Sequence, residues 1–387
     1  MKIPAGTTEN IESLIEDACD EMEKNYGNGL YSKIVVTRTW SKHNPIISGK
    51  VARPSAYRWY LKRELQRLAG CGAQVEISPD RERVDLGNPQ LLEWIDETDF
   101  DHTRKKVFLF GPERVELSLQ RLEHYTGTRA EDFQRYILLT NYQMHMDAFN
   151  QLYPDCCKPN RPGVQMPAYH QRTSHNQGLS IVNIGVGPSN AKTFTDHLAV
   201  LRPDAMIMVG HCAGIRNHQE VGDFVLASGY MRDDHVLDDA LPRSVPLVPS
   251  FILNRYLAKI LDERKLPYRF GVVYTTDDRN WELTLSRKLR DLKASRSVGV
   301  DMESATVAAN GFRYRIPSAT LLCVSDKPLH GQPKLPDVAK AFYEESKLKH
   351  LEIARDAIML VKSDHPAGVP ASDLRAMDEP LLGCIDG

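Results

Sequence analysis

Several large protein classes are excluded by what this chain lacks. No apolar run approaches the roughly 20 residues that a membrane span needs, and the first residues, MKIPAGTTENIESL, hold no apolar signal core. The expected location is therefore the cytoplasm. Cysteine is sparse and badly spaced for cross-linking. There are seven, an odd number, with Cys156 and Cys157 adjacent and no Cys-x-x-Cys pair. That argues against a disulfide framework or a zinc ribbon. Excess charge is lacking too: 49 basic and 51 acidic residues leave a formal net charge of −2. No global field draws such a chain to nucleic acid or to a membrane surface. Internal repeats and low-complexity tracts are also absent.

What is present is an ordinary globular composition, 42% hydrophobic and 26% charged, in a chain of 387 residues. That length suits two domains better than one core. The first half mixes element types. Residues 1–30 read as an acidic helix with Ile11, Leu14, Ile15, Ala18 and Met22 near one face, followed by a strand at Lys33–Trp40. A helix with Tyr57, Leu61, Leu65 and Leu68 as its stripe comes next, then a β-rich stretch over 71–110 and helices at Glu116–His124 and Ala130–Leu152. The expected division is an α+β N-terminal domain over 1–153, a linker at 154–162 in the two-proline stretch YPDCCKPNR (153–161), a catalytic domain over 163–364 and a tail over 365–387.

The second half has another rhythm. Strands at Leu179–Ile184, Ala205–Val209, Phe224–Ala227, Arg269–Tyr274, Val298–Val300 and Ala319–Val324 alternate with helices, the last over Asp337–Val361. Such alternation predicts an α/β, Rossmann-like domain with a mostly parallel sheet covered on both faces. Ligands of such sheets bind outside the carboxyl ends of the strands, and the unusual residues here all follow strands.

Gly185-Val186-Gly187-Pro188-Ser189-Asn190-Ala191 joins a strand to a helix whose free N–H groups suit an anion. It lacks the third glycine of a dinucleotide fingerprint, and the next strand ends in Gly210-His211-Cys212-Ala213-Gly214 instead of a ribose-binding acid, which argues against NAD. His211 reads either as a ligand contact or as a structural histidine, and Cys212 as a packed residue before a nucleophile. Arg232-Asp233-Asp234-His235 reads as active-site lining or a solvated turn, with no companion ligand cluster to suggest a metal. Asn280 and Trp281 follow another strand, where the indole either stacks on a base or anchors the next helix.

Two further strand ends form a pair: Val300-Asp301-Met302-Glu303-Ser304-Ala305 and Val324-Ser325-Asp326-Lys327. Two carboxylates sharing a cleft suit scission of a purine C1′–N9 bond. One protonated acid delivers a proton to the departing base, and one ionised carboxylate accepts hydrogen bonds from the sugar hydroxyls while positive charge grows on the ring.

Taken together, NIGVGPSNAKT (183–193), HLAVLRPD (197–204), RDDHVLD (232–238), TTDDRNWEL (275–283), VDMESAT (300–306) and LLCVSDKPLHG (321–331) resemble the nucleoside phosphorylase and nucleosidase superfamily, and within it the bacterial AMP nucleosidases. The N-terminal half is similar at RPSAYRWYL (53–61), RLEHYTGT (121–128) and LTNYQ (139–143), although the chain is shorter there than the usual family member. The resemblance implies a nucleoside-phosphorylase-type catalytic domain with a smaller N-terminal domain that binds or regulates nucleotide. It implies hydrolysis of AMP, with Asp326 as the acid facing the purine and Glu303 with Met302 on the ribose. Gly185, Gly187, His211 and Cys212 are implied at the phosphate or sugar end, Asn280 and Trp281 beside the base, and Arg53, ahead of Pro54, is the candidate for the 5′-phosphate. It further implies a homohexamer, no catalytic metal or redox cofactor, MgATP as activator and phosphate as inhibitor. A purine nucleoside phosphorylase and a non-catalytic nucleotide sensor are the competing readings.

Overall fold

The computed structural model describes residues 1–6, 10–37, 46–70, 72–95, 110–334 and 336–369. The chain divides into two compact units, one holding Met1–Arg121 with Val200–Arg202, the other Leu122–Ala199 and the described residues from Pro203 to Val369. No described helix is long and apolar enough to cross a membrane. Of the expected segments, the strand end beyond Thr37, residues 96–109 of the β-rich stretch and the tail from residue 370 lie outside the described residues.

The first unit is a four-stranded antiparallel sheet with helices. Its strands are β1 (Lys2–Ile3), β2 (Leu30–Thr37), β3 (Ile46–Val51) and β4 (Gln74–Glu82), in the order β1-β4-β2-β3. β2 alternates as a half-buried strand should, with Ile34 and Val36 inward. Helices α1 (Ile11–Gly27) and α2 (Arg58–Gly70) pack on it through Ile15, Ala18 and Met22 and through Leu61, Leu65 and Leu68, as the sequence periodicity predicts. The Arg58 guanidinium, on α2, reaches Glu16, Asp20 and Glu23 of α1 at 2.6–2.8 Å. A short α3 (Leu91–Trp94) follows, then α4 (Pro112–Thr126).

The second unit carries β5 (Tyr136–Thr140), α5 (Gln143–Leu152), β6 (Ala168–Gln171), β7 (Leu179–Asn183), α6 (Pro188–Leu198), β8 (Ala205–Gly214), β9 (Phe224–Asp233) and α7 (Phe251–Glu263). It continues with β10 (Tyr268–Thr276), α8 (Leu285–Ser295), β11 (Gly299–Asp301), α9 (Ser304–Arg313), β12 (Ser318–Asp326) and α10 (Pro336–Asp364). The eight strands run β11-β10-β9-β12-β8-β5-β7-β6, and β11 also pairs with β8, so five of them close a ring. Pairing is parallel except at β6–β7, β9–β12 and β8–β11. Every residue of β5, β8 and β12 is buried, which is why these strands read as continuous apolar runs and not as alternations.

Two expectations change. Residues 130–152 are not one helix: the stretch holds a short 3₁₀ turn, β5 and then α5. Tyr136-Ile137-Leu138-Leu139-Thr140 is a central strand between β7 and β8, and burial on both faces overrides a helix-like local pattern. The segment 154–162, expected as a linker, lies inside the second unit. There Cys157 pairs with His170 through reciprocal backbone hydrogen bonds of 2.9 and 2.8 Å. The five described cysteines are free thiols.

Candidate active site

The turn between β7 and α6 is shaped by its glycines. Gly185 takes a φ of 73°, and a Cβ on it would meet the Asn190 amide at 2.8 Å. Gly187 stands at the head of α6 with φ 106° and ψ 157°, a region that only glycine occupies without strain. Pro188 then opens the helix at its first position. This geometry aims the Gly187 N–H at a carboxylate oxygen, Glu303 Oε1, at 2.6 Å. The anion-binding helix start read from the sequence thus meets a carboxyl group of the chain itself.

The other oxygen of Glu303 accepts from the Asn141 side-chain amide at 3.1 Å. Asn141 comes just after β5, Gly187 just after β7 and Glu303 just after β11, so three strand ends meet at one carboxylate. Asp301, two residues earlier, accepts from the Thr275 hydroxyl at 2.6 Å and from the backbone N–H of Ser304, the first residue of α9, at 2.9 Å, which fixes the Glu303 turn. Burial first, and then the Asp301 charge, push the Glu303 carboxyl up to about 8, against the Gly187 and Asn141 donors that favour its ionised form. Burial also raises Asp301.

Asp326 ends β12. Ala213 of β8 is the register partner of both Asp326 and Val300, so the two acidic strand ends flank one residue. The Ser325 hydroxyl donates to Asp326 Oδ1 at 2.5 Å. Burial pushes the Asp326 carboxyl above its ordinary value, while Ser325 and the positive charge of Lys334 pull it down. An acid that holds its proton longer than a free aspartate is what general acid chemistry needs.

The remaining sequence candidates separate. Met302 is half-buried beside Glu303. His211 is buried at the end of β8, its ring 4.7 Å from that of Tyr142. The Cys212 side chain packs with Val225, Val273, Leu322 and Val324, and burial pushes its thiol well above the ordinary range, so it stays protonated. Trp281 packs with Ala213, Tyr274, Leu292 and Val300, the helix-anchoring arrangement of its two readings, whereas Asn280 is exposed. In the Arg232–His235 run, buried Arg232 donates to Leu241 O at 2.7 Å and buried Asp234 accepts from Thr306 of α9 at 2.5 Å. Exposed His235 sits between Asp233 and Asp238 at 3.3 and 3.4 Å. Arg53 lies in the first unit, where it opens the Pro54–Tyr57 turn with φ 42°.

Sequence reasoning missed Asn141, Thr275 and Lys334. Lys334 lies 3.3 Å from the Tyr142 hydroxyl, and its charge acts on both Asp326 and His211. Asn141 lies in the family-like string LTNYQ (139–143) and in a polar pair, Thr140-Asn141, straight after an apolar run, but that run was read as helix and no role was given to the side chain.

A sequence profile of the phosphorylase superfamily matches residues 146–359. The chain is also similar to the AMP nucleosidase of Escherichia coli (strain K12), 37% identical over 440 aligned positions that cover 93% of this chain and 91% of that protein. The chain belongs to the AMP nucleosidase family of the phosphorylase superfamily. An alignment longer than the chain's 387 residues must leave gaps on its side, so this family member is the shorter one within the aligned region. The fold agrees with the family. The crystal structure of the AMP nucleosidase from Bacteroides thetaiotaomicron VPI-5482 superposes with a TM-score of 0.56 at 29% identity, covering 65% of this chain and 99% of that one. A purine nucleoside phosphorylase from Toxoplasma gondii shares the fold at 16% identity and a TM-score of 0.53, covering 62% of this chain and 95% of that one.

Proposed function

We propose that this chain hydrolyses the N-glycosidic bond of AMP, giving adenine and ribose 5-phosphate. The observation that carries the reading is the pairing of a clamped Glu303 with a proton-holding Asp326 on a chain of the AMP nucleosidase family. Asp326 donates its proton to the purine ring as the C1′–N9 electron pair leaves with the base. Glu303 accepts from the O2′ and O3′ hydroxyls, and those donors join Gly187 and Asn141 in favouring its ionised form as charge develops on the ribose. Water then forms the new bond to C1′ and sheds a proton to solvent, from which Asp326 is reprotonated.

The family resemblance supports the further proposals of a cytoplasmic homohexamer, activation by MgATP and inhibition by phosphate, with no catalytic metal or redox cofactor. A phosphorylase needs the same acid and the same clamp, so the sugar product decides. Purified protein is incubated with AMP, with and without phosphate, and the product is identified. Ribose 5-phosphate in both arms is the expected result. Ribose 1,5-bisphosphate in the phosphate arm would make the chain a phosphorylase, and no adenine release at all would make it a sensor.

A further inference from the structure

Three histidines from three elements converge beside β8: His145 in the first turn of α5, His211 near the end of β8, and His350 in α10. All three are buried. One ring nitrogen of each lies within 4.8 Å of those of the other two. The ring centres are 5.1 Å apart for His145 and His350, and 5.5 Å apart for each remaining pair. An imidazole bound at roughly 2.0–2.1 Å puts its ring centre ~3.2 Å from an ion, and two such centres at a tetrahedral angle lie ~5.2 Å apart. The ring centres therefore stand near the spacing of a tetrahedral centre, and binding needs the facing nitrogens, which lie within 4.8 Å of one another, to close to about 3.3 Å.

The outer nitrogens of His350 and His145 are held as well. His350 Nε2 donates to the Leu321 carbonyl at 2.8 Å, which leaves the Nδ1 lone pair facing the cluster. His145 Nδ1 lies 2.7 Å from the Thr140 hydroxyl, which leaves Nε2. Neither His350 Nδ1 nor His145 Nε2 has a hydrogen-bond partner among the described residues. A carbonyl or hydroxyl behind the ring, fixing its tautomer and direction, is the usual support of a metal-bound histidine.

We propose that His145, His211 and His350 bind one first-row divalent cation, zinc being the best match, with an anionic oxygen in the fourth position. Three imidazoles suit zinc, and no carboxylate among the described residues belongs to the cluster, so the fourth ligand supplies the balancing charge. The ion ties the first turn of α5 to β8 and α10, and thereby holds the turn that carries Asn141 to Glu303. The site does not depend on the reaction proposed above.

The test uses the full chain, stripped with a chelator and titrated with zinc alone and, separately, with cobalt alone. The expected result is one zinc per chain at micromolar or lower concentration, a higher Tm with zinc, and the visible absorption of tetrahedral nitrogen-ligated cobalt. His350→Gln keeps a donor for Leu321 and removes the ligand; His145→Asn does the same for Thr140. Both should lose the zinc and the cobalt spectrum. Folded wild-type protein that takes up neither ion overturns the proposal, as does uptake undiminished in both variants. Should the variants fail to fold, the wild-type stoichiometry and cobalt spectrum decide alone.

Discussion

At Asp326 the chemistry rests on one proton. An ordinary aspartate titrates near ~3.9, and here burial opposes ionisation. Asp326→Asn keeps the shape and loses the proton, so kcat for AMP should fall by roughly 10²–10⁴, the usual worth of general acid catalysis, while the dissociation constant for AMP changes far less. Single-turnover kinetics beside equilibrium binding check both halves. Turnover near the wild-type rate would remove Asp326 from this role. Glu303 makes a different prediction, because its folded value of about 8 lies above its unfolded one. Between the two, the folded state holds a proton that the unfolded chain has released, so stability falls as pH rises through this window and levels off above it. Glu303→Gln removes that penalty. Its amide is accommodated if the Asn141 amide turns, since Asn141 Oδ1 has no partner among the described residues. The variant should therefore lose turnover and yet melt above the wild type at pH 8.5, by about 2–4 °C for each kcal/mol relieved, with the difference fading at pH 4. Melting curves at the two pH values measure it, and a variant less stable than wild type at pH 8.5 would contradict the assigned direction.

At the scale of elements, the glycine turn before α6 couples backbone strain to chemistry. A Cβ at Gly187 meets nothing within 4 Å, so Gly187→Ala carries a purely conformational cost of about 1–3 kcal/mol. Relaxing it rotates the N–H away from Glu303. Gly163, also at positive φ and also open around its Cβ, serves as the control. Gly187→Ala should lose stability and turnover together, Gly163→Ala stability alone; denaturant unfolding and initial rates separate them. The strand ends that carry Gly187, Glu303 and Asp326 were legible because small or polar residues break an apolar run wherever a buried strand leaves the sheet. β5 was not legible. A four-residue apolar run fits helix or strand equally well, and only its place between β7 and β8 decides. Asn141 was lost with it, since nothing local announces a partner 162 residues away. His145 and His350 carry no local signal for the same reason, being joined only by the packing of α5 and α10 against the sheet.

At the scale of the whole molecule, what separates this family from nucleoside enzymes of the same fold is the 5′-phosphate. A dianionic phosphate gains charge-assisted hydrogen bonds wherever a cation or helix-start amides meet it. Binding energy from that remote group can orient the reacting ribose, so its loss should lower kcat as well as raise KM. AMP should exceed adenosine by at least about 10³ in kcat/KM, roughly 4 kcal/mol. Within the second unit, Lys334 is a cation whose charge acts on both Asp326 and His211. If part of the preference comes from that charge, Lys334→Ala should lower kcat/KM for AMP and leave adenosine almost unchanged. Loss of Lys334 also removes a charge that holds the Asp326 carboxyl down, so the alkaline limb of the variant's pH–rate profile, where the general acid gives up its proton, should move to higher pH. Side-by-side adenine release from AMP and adenosine reads all of this. Equal rates on both substrates would leave a general purine nucleosidase in place of an AMP enzyme. An intact preference in Lys334→Ala would acquit that lysine and keep the nucleotide assignment.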